Sequence, residues 1–549
     1  MIWILSFITI SSISASDSYK NFSVQESYDI LSMDSVHVHA TTHVTNIIRN
    51  GNDNLLNTEV KILEDLGLSI QNGKVIANTP NDLNQIFETE HFRFHYAIEG
   101  YDAVSNVDYI LQMANVFENV YLFYIDTIGF SPPIKDPISD DDLYEVFIEN
   151  LPSYFFGITY TKNSSVASPS CVSYIKMRNN YIGSQFSDKT ELENIQVTAV
   201  HEFFHAIQFS YNCYEKFWFM EATAVWSEDE LYDNVNDHYR YISSWFSNTD
   251  KPLNQEGNHM YGSFIFFQYI DEHFGGPNTI KLCWDKSIEF ASPIQDNSIK
   301  SINAALNDLG SSFDEVYQKM RIANKIMNSN AGIYSYEEAD GYISAGANID
   351  GINIFYQKGE VQQKSYFNLD LFQTNYYQVH TTNPIEVEII PHNENVPMFS
   401  ITKLQDKNQW SIRSGNKINI DTEMGIEWIT FLVSALGSEE QNWDYTIEFK
   451  DGFSEDFTMS NPFPNPSFGK PVLFSIETVS KQKIATSIYN VLGQKVWAPK
   501  KGNLDSEIND FVWNGVNNEG KKVSSGLYFI EVVGEKKKFI HKIIYLKNE

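Results

Sequence analysis

Cysteine is scarce in this chain of 549 residues, which carries only Cys171, Cys213 and Cys283. Three thiols allow a single bond within the chain. Cys171 and Cys213 flank one helix-compatible stretch and can pair there, in which case Cys283 is free. Positive charge is also in short supply. Lys and Arg number 39 against 71 Asp and Glu, for a formal net charge of −32. A surface this acidic makes nucleic acid and anionic membranes poor partners. Long apolar runs are missing except at the start, where residues 1–10 (MIWILSFITI) are too few to span a bilayer. Ser11, Ser12, Ser14, Ala15 and Ser16 follow, so residues 1–16 read as a secretory signal even without a charged leading region. No other segment is a candidate for a stable membrane span. The expected product is exported.

What is present is concentrated around residue 201. His201-Glu202-Phe203-Phe204-His205 has the form H-E-x-x-H. Residues 193–209 contain no Gly or Pro, and Val197, Val200, Phe204 and Ile207 form an apolar stripe at helical spacing. The spacing predicts a helix buried on that side. Two histidines four apart on a helix project from one face, a turn apart, and can meet one metal ion. Glu202 lies about 100° round the helix from His201, where it can flank the ion and accept a proton from water. A second helix-compatible run, residues 217–231, carries Glu221 between Met220 and Ala222. A carboxylate buried among Trp and Phe needs a partner, and a metal ion is one. Glu228, two turns on, is either an acceptor that orients a histidine or an alternative ligand. Tyr261 and His259 sit in a loop leading into a helix. Either can aim a donor at a developing oxyanion, or simply cap and pack that helix.

The H-E-x-x-H helix, followed by a helix of the form aromatic-x-x-Glu-small-x-Ala, resembles the gluzincin group of zinc metallopeptidases. The stretch through Trp226-Ser227-Glu228-Asp229-Glu230 is similar to secreted bacterial metalloproteases of that type. The resemblance spans residues 85–335 and is specific only around the two helices. It implies a Zn2+ ion held by His201, His205 and Glu221, with Glu202 as general base. One departure stands out: Ala222 and Val225 occupy positions where many gluzincins have Gly or an acidic residue.

A chain of this length holds several domains. Residues 17–84 are polar and weakly patterned. His37, His39 and His43 lie here without a second ligand cluster and read as incidental. A sharper expectation is that 17–84 form a pro-segment that covers the metal site. Residues 85–335 are expected to form an α+β catalytic domain. Residues 91–96, 144–150 and 172–177 alternate as strands, 109–127 read as an amphipathic helix, and helices continue through 311–328. By the resemblance, 172–177 would be the edge strand that pairs with an extended substrate. Residues 336–455 show short strands near 376–380, 385–390, 399–401, 428–433 and 445–449, the pattern of a β-sandwich.

The final segment, 456–549, differs in charge. Residues 461–549 contain 13 Lys, no Arg and 8 acidic residues, a net +5 that leaves −37 for the rest. Its Asn461-Pro462-Phe463-Pro464-Asn465-Pro466 entry is followed by residues 483–490, Gly493-Gln494-Lys495-Val496, Trp513-Asn514-Gly515, Gly520 and residues 525–530. This ordered set resembles the C-terminal, Ig-like sorting domain of the type IX secretion system. The resemblance implies passage through periplasm and outer membrane to a secreted or cell-surface location, with that machinery as a partner.

The expected activity is zinc-dependent peptide-bond hydrolysis on a protein or peptide substrate. Zinc would lower the pKa of a water toward about 7, Glu202 would accept its proton, and Tyr261 would assist at the oxyanion. One rival is a catalytically inactive, peptidase-like surface adhesin or binding protein, which needs none of His201, Glu202, His205 and Glu221. Another is a structural zinc site, which would close with four protein ligands; no suitably placed fourth Cys or His is visible.

Overall fold

The computed structural model describes residues 23–547, except 33–39, 52–54, 81–82, 135, 137–140, 153–154, 163–168, 368, 393–395, 406–407, 423–424, 438–442, 453–456, 479–481, 500–502, 505–507 and 535–536. The signal reading at 1–16, His37 and His39 lie outside the described residues. The chain divides into one unit of residues 1–245 and 253–313 and another of 246–252 and 314–549.

The first unit opens with helices α1 (Val24–Leu31), α2 (Thr41–Asn50) and α3 (Asn57–Asp65) and the hairpin β1 (Leu68–Gln71) and β2 (Lys74–Ala77). Strands β3 (Gln85–Glu88), β4 (Phe92–Tyr96), β5 (Tyr144–Glu149), β6 (Gly157–Thr161) and β7 (Ser173–Arg178) form a sheet in the order β3-β4-β5-β7-β6. The three inner strands β4, β5 and β7 are parallel, while β3 and β6 run antiparallel to their neighbours. Residues 172–177 are therefore not the edge. Residues 173–177 lie in β7, buried throughout, because the chain returns from β6 into β7 and leaves β6 outermost.

Between β4 and β5 runs α4 (Val107–Tyr121), which starts on an Asn106 cap and widens into a π-helical turn, Leu122–Ile128. After the sheet come α5 (Glu191–Tyr211), α6 (Phe217–Tyr232), α7 (Tyr239–Ser247), α8 (Asn258–Gly262), α9 (Phe264–His273), α10 (Pro277–Glu289) and α11 (Ser298–Asp308). Helix α5 starts on a capping box: the Glu193 N–H donates to the Thr190 hydroxyl, and the Thr190 N–H donates back to the Glu193 carboxylate at 2.7 Å. The apolar stripe predicts one buried face, but α5 is buried nearly all round from Asn194 to Phe209. It runs between β6 and β7 on one side and α4, α6 and α10 on the others. The polar residues it buries must therefore be satisfied inside the protein.

The expected domain end at 335 falls inside the second unit, whose main part starts at Asp314. Helix α12 (Phe313–Ile326) belongs mostly to the second unit. It packs there through backbone acceptors: the Tyr376 hydroxyl donates to the Arg321 carbonyl at 2.8 Å, and Lys325 donates to the Ile349 carbonyl at 2.7 Å. Likewise, the described part of 17–84 belongs to the first unit. Tyr28, Val44, Ile47, Leu63, Leu66, Leu68 and Val75 share one core with Phe147, Leu151, Phe155, Ile158, Tyr160 and Tyr174.

The second unit is β-rich. Strands β8 (Ile352–Phe355), β9 (Gln362–Tyr366), β10 (Thr374–His380), β11 (Ile385–Pro391), β12 (Met398–Leu404), β13 (Trp410–Ser414), β14 (Lys417–Ile420), β15 (Ile426–Ser434) and β16 (Tyr445–Asp451) make two sheets, β13-β12-β15-β10-β8 and β14-β11-β16-β9. The Tyr377 and Tyr445 hydroxyls, one from each sheet, lie 2.6 Å apart. Beyond it, separate sheets of three and five strands enclose a core that includes Val472, Phe474, Ile488, Trp513, Ile530 and Tyr545. No helix among the described residues is long and apolar enough to cross a membrane.

Candidate metal centre

Helices α5 and α6 cross where their polar residues are deepest. His201, His205 and Glu221 are each 0% exposed. Nε2 of His201 lies 3.0 Å from Nε2 of His205 and 3.1 Å from a carboxylate oxygen of Glu221, and that oxygen is 3.7 Å from Nε2 of His205. Donors placed tetrahedrally about 2.0–2.1 Å from an ion lie roughly 3.3 Å from one another.

The outer hydrogen bonds decide what those nitrogens present. Nδ1 of His201 meets the Glu228 carboxylate at 2.6 Å. A carboxylate accepts, so Nδ1 carries the hydrogen. Nδ1 of His205 meets the Gln208 side-chain oxygen at 2.8 Å. The Gln208 orientation is set from its other end, where the amide nitrogen donates to the Met220 carbonyl at 2.8 Å and to the Thr223 hydroxyl at 3.0 Å. Both Nε2 atoms therefore turn lone pairs inward, and Glu221 adds another. Three lone pairs this close repel unless a cation or a proton lies among them. The same cradle holds a proton strongly. Burial pushes the His201 imidazole down, but the hydrogen bonds and charges of Glu221 and Glu228 outweigh it and hold the ring up at about 10. Glu221 is held well below the usual carboxylate range: burial opposes this, and the two imidazoles prevail. Two imidazole nitrogens and one carboxylate, with second contacts that fix both tautomers, are a donor set suited to zinc.

Of the two places open to Glu228, the structure gives it the one behind His201. Gln208 plays the matching part behind His205. It lies three residues on along the same helix and was legible in principle from that spacing.

Glu202 is 1% exposed and faces β6. The Thr159 hydroxyl contacts both its carbonyl, at 2.8 Å, and its carboxylate, at 2.7 Å. A methyl group at Gly157 would meet Cγ of Glu202 and Cγ2 of Thr198, both at 2.8 Å, so glycine is what lets the edge strand come this close to α5. Tyr261 is buried, stacks on Tyr241 at 5.2 Å between ring centroids, and is hydrogen-bonded with Thr42. Burial first, and then the charge of Glu221, push its hydroxyl well above the usual tyrosine value, so it stays a donor. His259 instead stacks on Trp245 at 4.7 Å.

The first turn of α2 enters this site: Thr41 donates to the Glu202 carboxylate and Thr42 to the Glu221 carboxylate, each at 2.7 Å. His43 is buried beside them, and burial pushes its imidazole down to about 4, against the pull of Glu221. Some 160 residues separate Thr41 from Glu202, so no local pattern could have linked them.

Elsewhere in this unit Cys171 and Cys213 are joined in a disulfide, and Cys283 is buried. The bond ties the entry of β7 to the residue after the α5 cap.

The model of a family of unknown function, DUF6055, matches residues 100–383. The chain belongs to the DUF6055 family. Within the matched span lie His201, Glu202, His205, Glu221 and Tyr261; Thr41 and Thr42 precede it. A secretion system C-terminal sorting domain matches residues 461–546. The chain is therefore exported to the cell surface or the medium, and its C-terminal domain engages the type IX secretion machinery. No curated protein matches the chain. Similar solved structures include PorZ of Porphyromonas gingivalis, a surface component of the type IX secretion system, at 18% identity over 18% of this chain and 14% of that one, TM-score 0.13. Latent PorU of the same organism is 10% identical over 36% and 32%, TM-score 0.15. A Faecalibacterium prausnitzii β-glucuronidase is 8% identical over 31% and 36%, TM-score 0.14. The chain spans well under two thirds of each, and scores this low carry no argument about fold.

Proposed function

We propose that this exported chain is a zinc-dependent peptidase with a zincin-like catalytic unit of the gluzincin type. The observation that carries the reading is the convergence of three lone-pair donors, His201, His205 and Glu221, with both imidazole tautomers fixed from behind. A zinc ion held there would supply Lewis acidity to a water and to a peptide carbonyl. His201 and His205 orient through Glu228 and Gln208. Glu202, on the same helix, accepts a proton from the attacking water and returns it to the leaving nitrogen. Tyr261 directs a hydroxyl toward the oxyanion. Strand β6, antiparallel and outermost, offers backbone groups to an extended peptide.

Because these groups are sealed from solvent, the test nicks the folded full-length chain between Asn78 and Leu83, separating the N-terminal elements from the rest. Zinc content and hydrolysis of an unfolded protein are then measured for the natural sequence and for Glu202→Gln. Bound zinc in both, with hydrolysis only in the natural sequence, supports the proposal. Zinc without any hydrolysis favours the inactive adhesin. No zinc at all removes the reading.

A further inference from the structure

A hydrolytic site open to substrate needs its proton acceptor and its edge strand free. Here both are occupied by the chain itself. The Thr41 hydroxyl accepts from the Thr159 N–H at 2.8 Å and donates to the Glu202 carboxylate at 2.7 Å. It thus takes a backbone donor of the edge strand and an acceptor position of Glu202 at the same time. Thr42 takes the second oxygen of Glu221. Helix α2 points its N-terminus, the positive end of its dipole, at these two carboxylates. Residues 41 to 47 are all buried.

The hold has a second part away from the site. Val44 and Ile47 belong to the apolar core that α1, α3 and the β1–β2 hairpin share with the sheet residues Phe147, Ile158, Tyr160 and Tyr174. Two sheet tyrosines also donate to this segment's backbone, Tyr160 to the Leu66 carbonyl at 2.8 Å and Tyr174 to the Asn78 carbonyl at 3.1 Å. An apolar anchor thus carries a polar latch into the cleft. In an ordinary helix–sheet contact, apolar residues would fill that cleft. Hydroxyls suit only a surface that presents carboxylates and unpaired edge amides.

We infer that the described elements α1, α2, α3, β1 and β2 form a built-in inhibitory segment whose α2 occupies the substrate cleft along β6, latched to Glu202 and Glu221 by Thr41 and Thr42, and that the chain stays latent until this segment is released. The inference rests on the peptidase reading for what is inhibited, but not for the docking itself.

The test uses the full chain with a specific-protease site inserted between Asn78 and Leu83, loaded with zinc, folded, then cut and freed of the segment. Three rates are compared before and after the cut: hydrolysis of an unfolded protein, withdrawal of zinc by a chelator, and hydrogen exchange at residues 157–161. The expected result is a rise of at least about tenfold in all three, since charge-assisted latches and a buried edge are lost together. Faster zinc withdrawal or faster exchange at 157–161 without hydrolysis keeps the latch and removes the peptidase reading. Unchanged exchange and withdrawal, with mass spectrometry showing the segment gone, overturns the latch. Hydrolysis that depends on Glu202 and is equal before and after the cut overturns the latch alone. If the cut segment stays bound, Thr41→Val with Thr42→Val in the uncut chain replaces it as the test. Valine keeps the shape and removes both hydroxyls, so exchange at 157–161 and zinc withdrawal should rise severalfold, and no change in either overturns the inference.

Discussion

Two sets of side chains meet around the carboxylates of Glu202 and Glu221. One comes from α5 and α6, within 28 positions of sequence, and ends in imidazoles and an amide. The other comes from α2 and β6 and ends in the hydroxyls of Thr41, Thr42 and Thr159. The first set arranges lone pairs around a point where a cation fits. The second set donates hydrogens to the same carboxylates from the outside. Side chains set at helical spacing and side chains brought in across the fold are thus separable, and each set can be altered without the other.

The largest break is Glu202→Gln in the cut chain. Hydrolysis should fall by roughly a hundred- to ten-thousandfold, the usual worth of a positioned proton acceptor, while zinc content is unchanged. Loss of zinc as well would make Glu202 a ligand. Next come the orienting residues. Glu228→Ala or Gln208→Ala frees an imidazole to rotate or change tautomer, and zinc affinity measured by chelator competition should drop about 10–100-fold. An unchanged affinity would mean that the outer hydrogen bonds are packing alone. Gly157→Ala acts from the other side. Its methyl group would press on Glu202 and Thr198, which should cost about 1–3 kcal/mol of stability by denaturant titration. It should also lower hydrolysis while zinc affinity stays within a few-fold. The opposite pattern would break the separation between the two sets.

The smallest effect concerns Glu215, just before α6. Burial pushes its carboxyl up to about 7, against the Lys216 N–H that donates to it. Its folded value lies above the unfolded one, so the protonated form contributes stability that is complete below about 4.5 and is lost as pH rises through about 7. Glu215→Gln should therefore raise the melting temperature at pH 8 by a few degrees and change it little at pH 4.5. An equal shift at both pH values would contradict this assignment.

The same comparison explains what was legible in the sequence. His201, His205 and Glu202 share one uninterrupted helix, and the aromatic run around Glu221 marks a buried carboxylate, so a first reading reaches them. The strands of the second unit announce themselves by alternation, and the boundaries of β10, β11 and β16 fall within a few residues of expectation. What a local reading misses is fixed by long-range order. Residues 172–177 alternate like a strand but do not say which neighbour lies outside; the return through β6 decides it. Helix α12 has a clear helical pattern, yet its unit is set by long-range hydrogen bonds: its Arg321 carbonyl accepts from the Tyr376 hydroxyl, and its Lys325 donates to the Ile349 carbonyl. Thr41 and Thr42 are ordinary threonines in a polar stretch until the fold sets them against two buried carboxylates.

The central claim is that His201, His205 and Glu221 hold one divalent ion through inward-facing lone pairs. Metal analysis of the full-length chain, purified without chelator and compared with His205→Ala and Glu202→Gln, tests it most directly. The account predicts about one zinc per chain for the natural sequence and for Glu202→Gln, and close to none for His205→Ala. Full zinc content in His205→Ala, or none in the natural sequence, would contradict it.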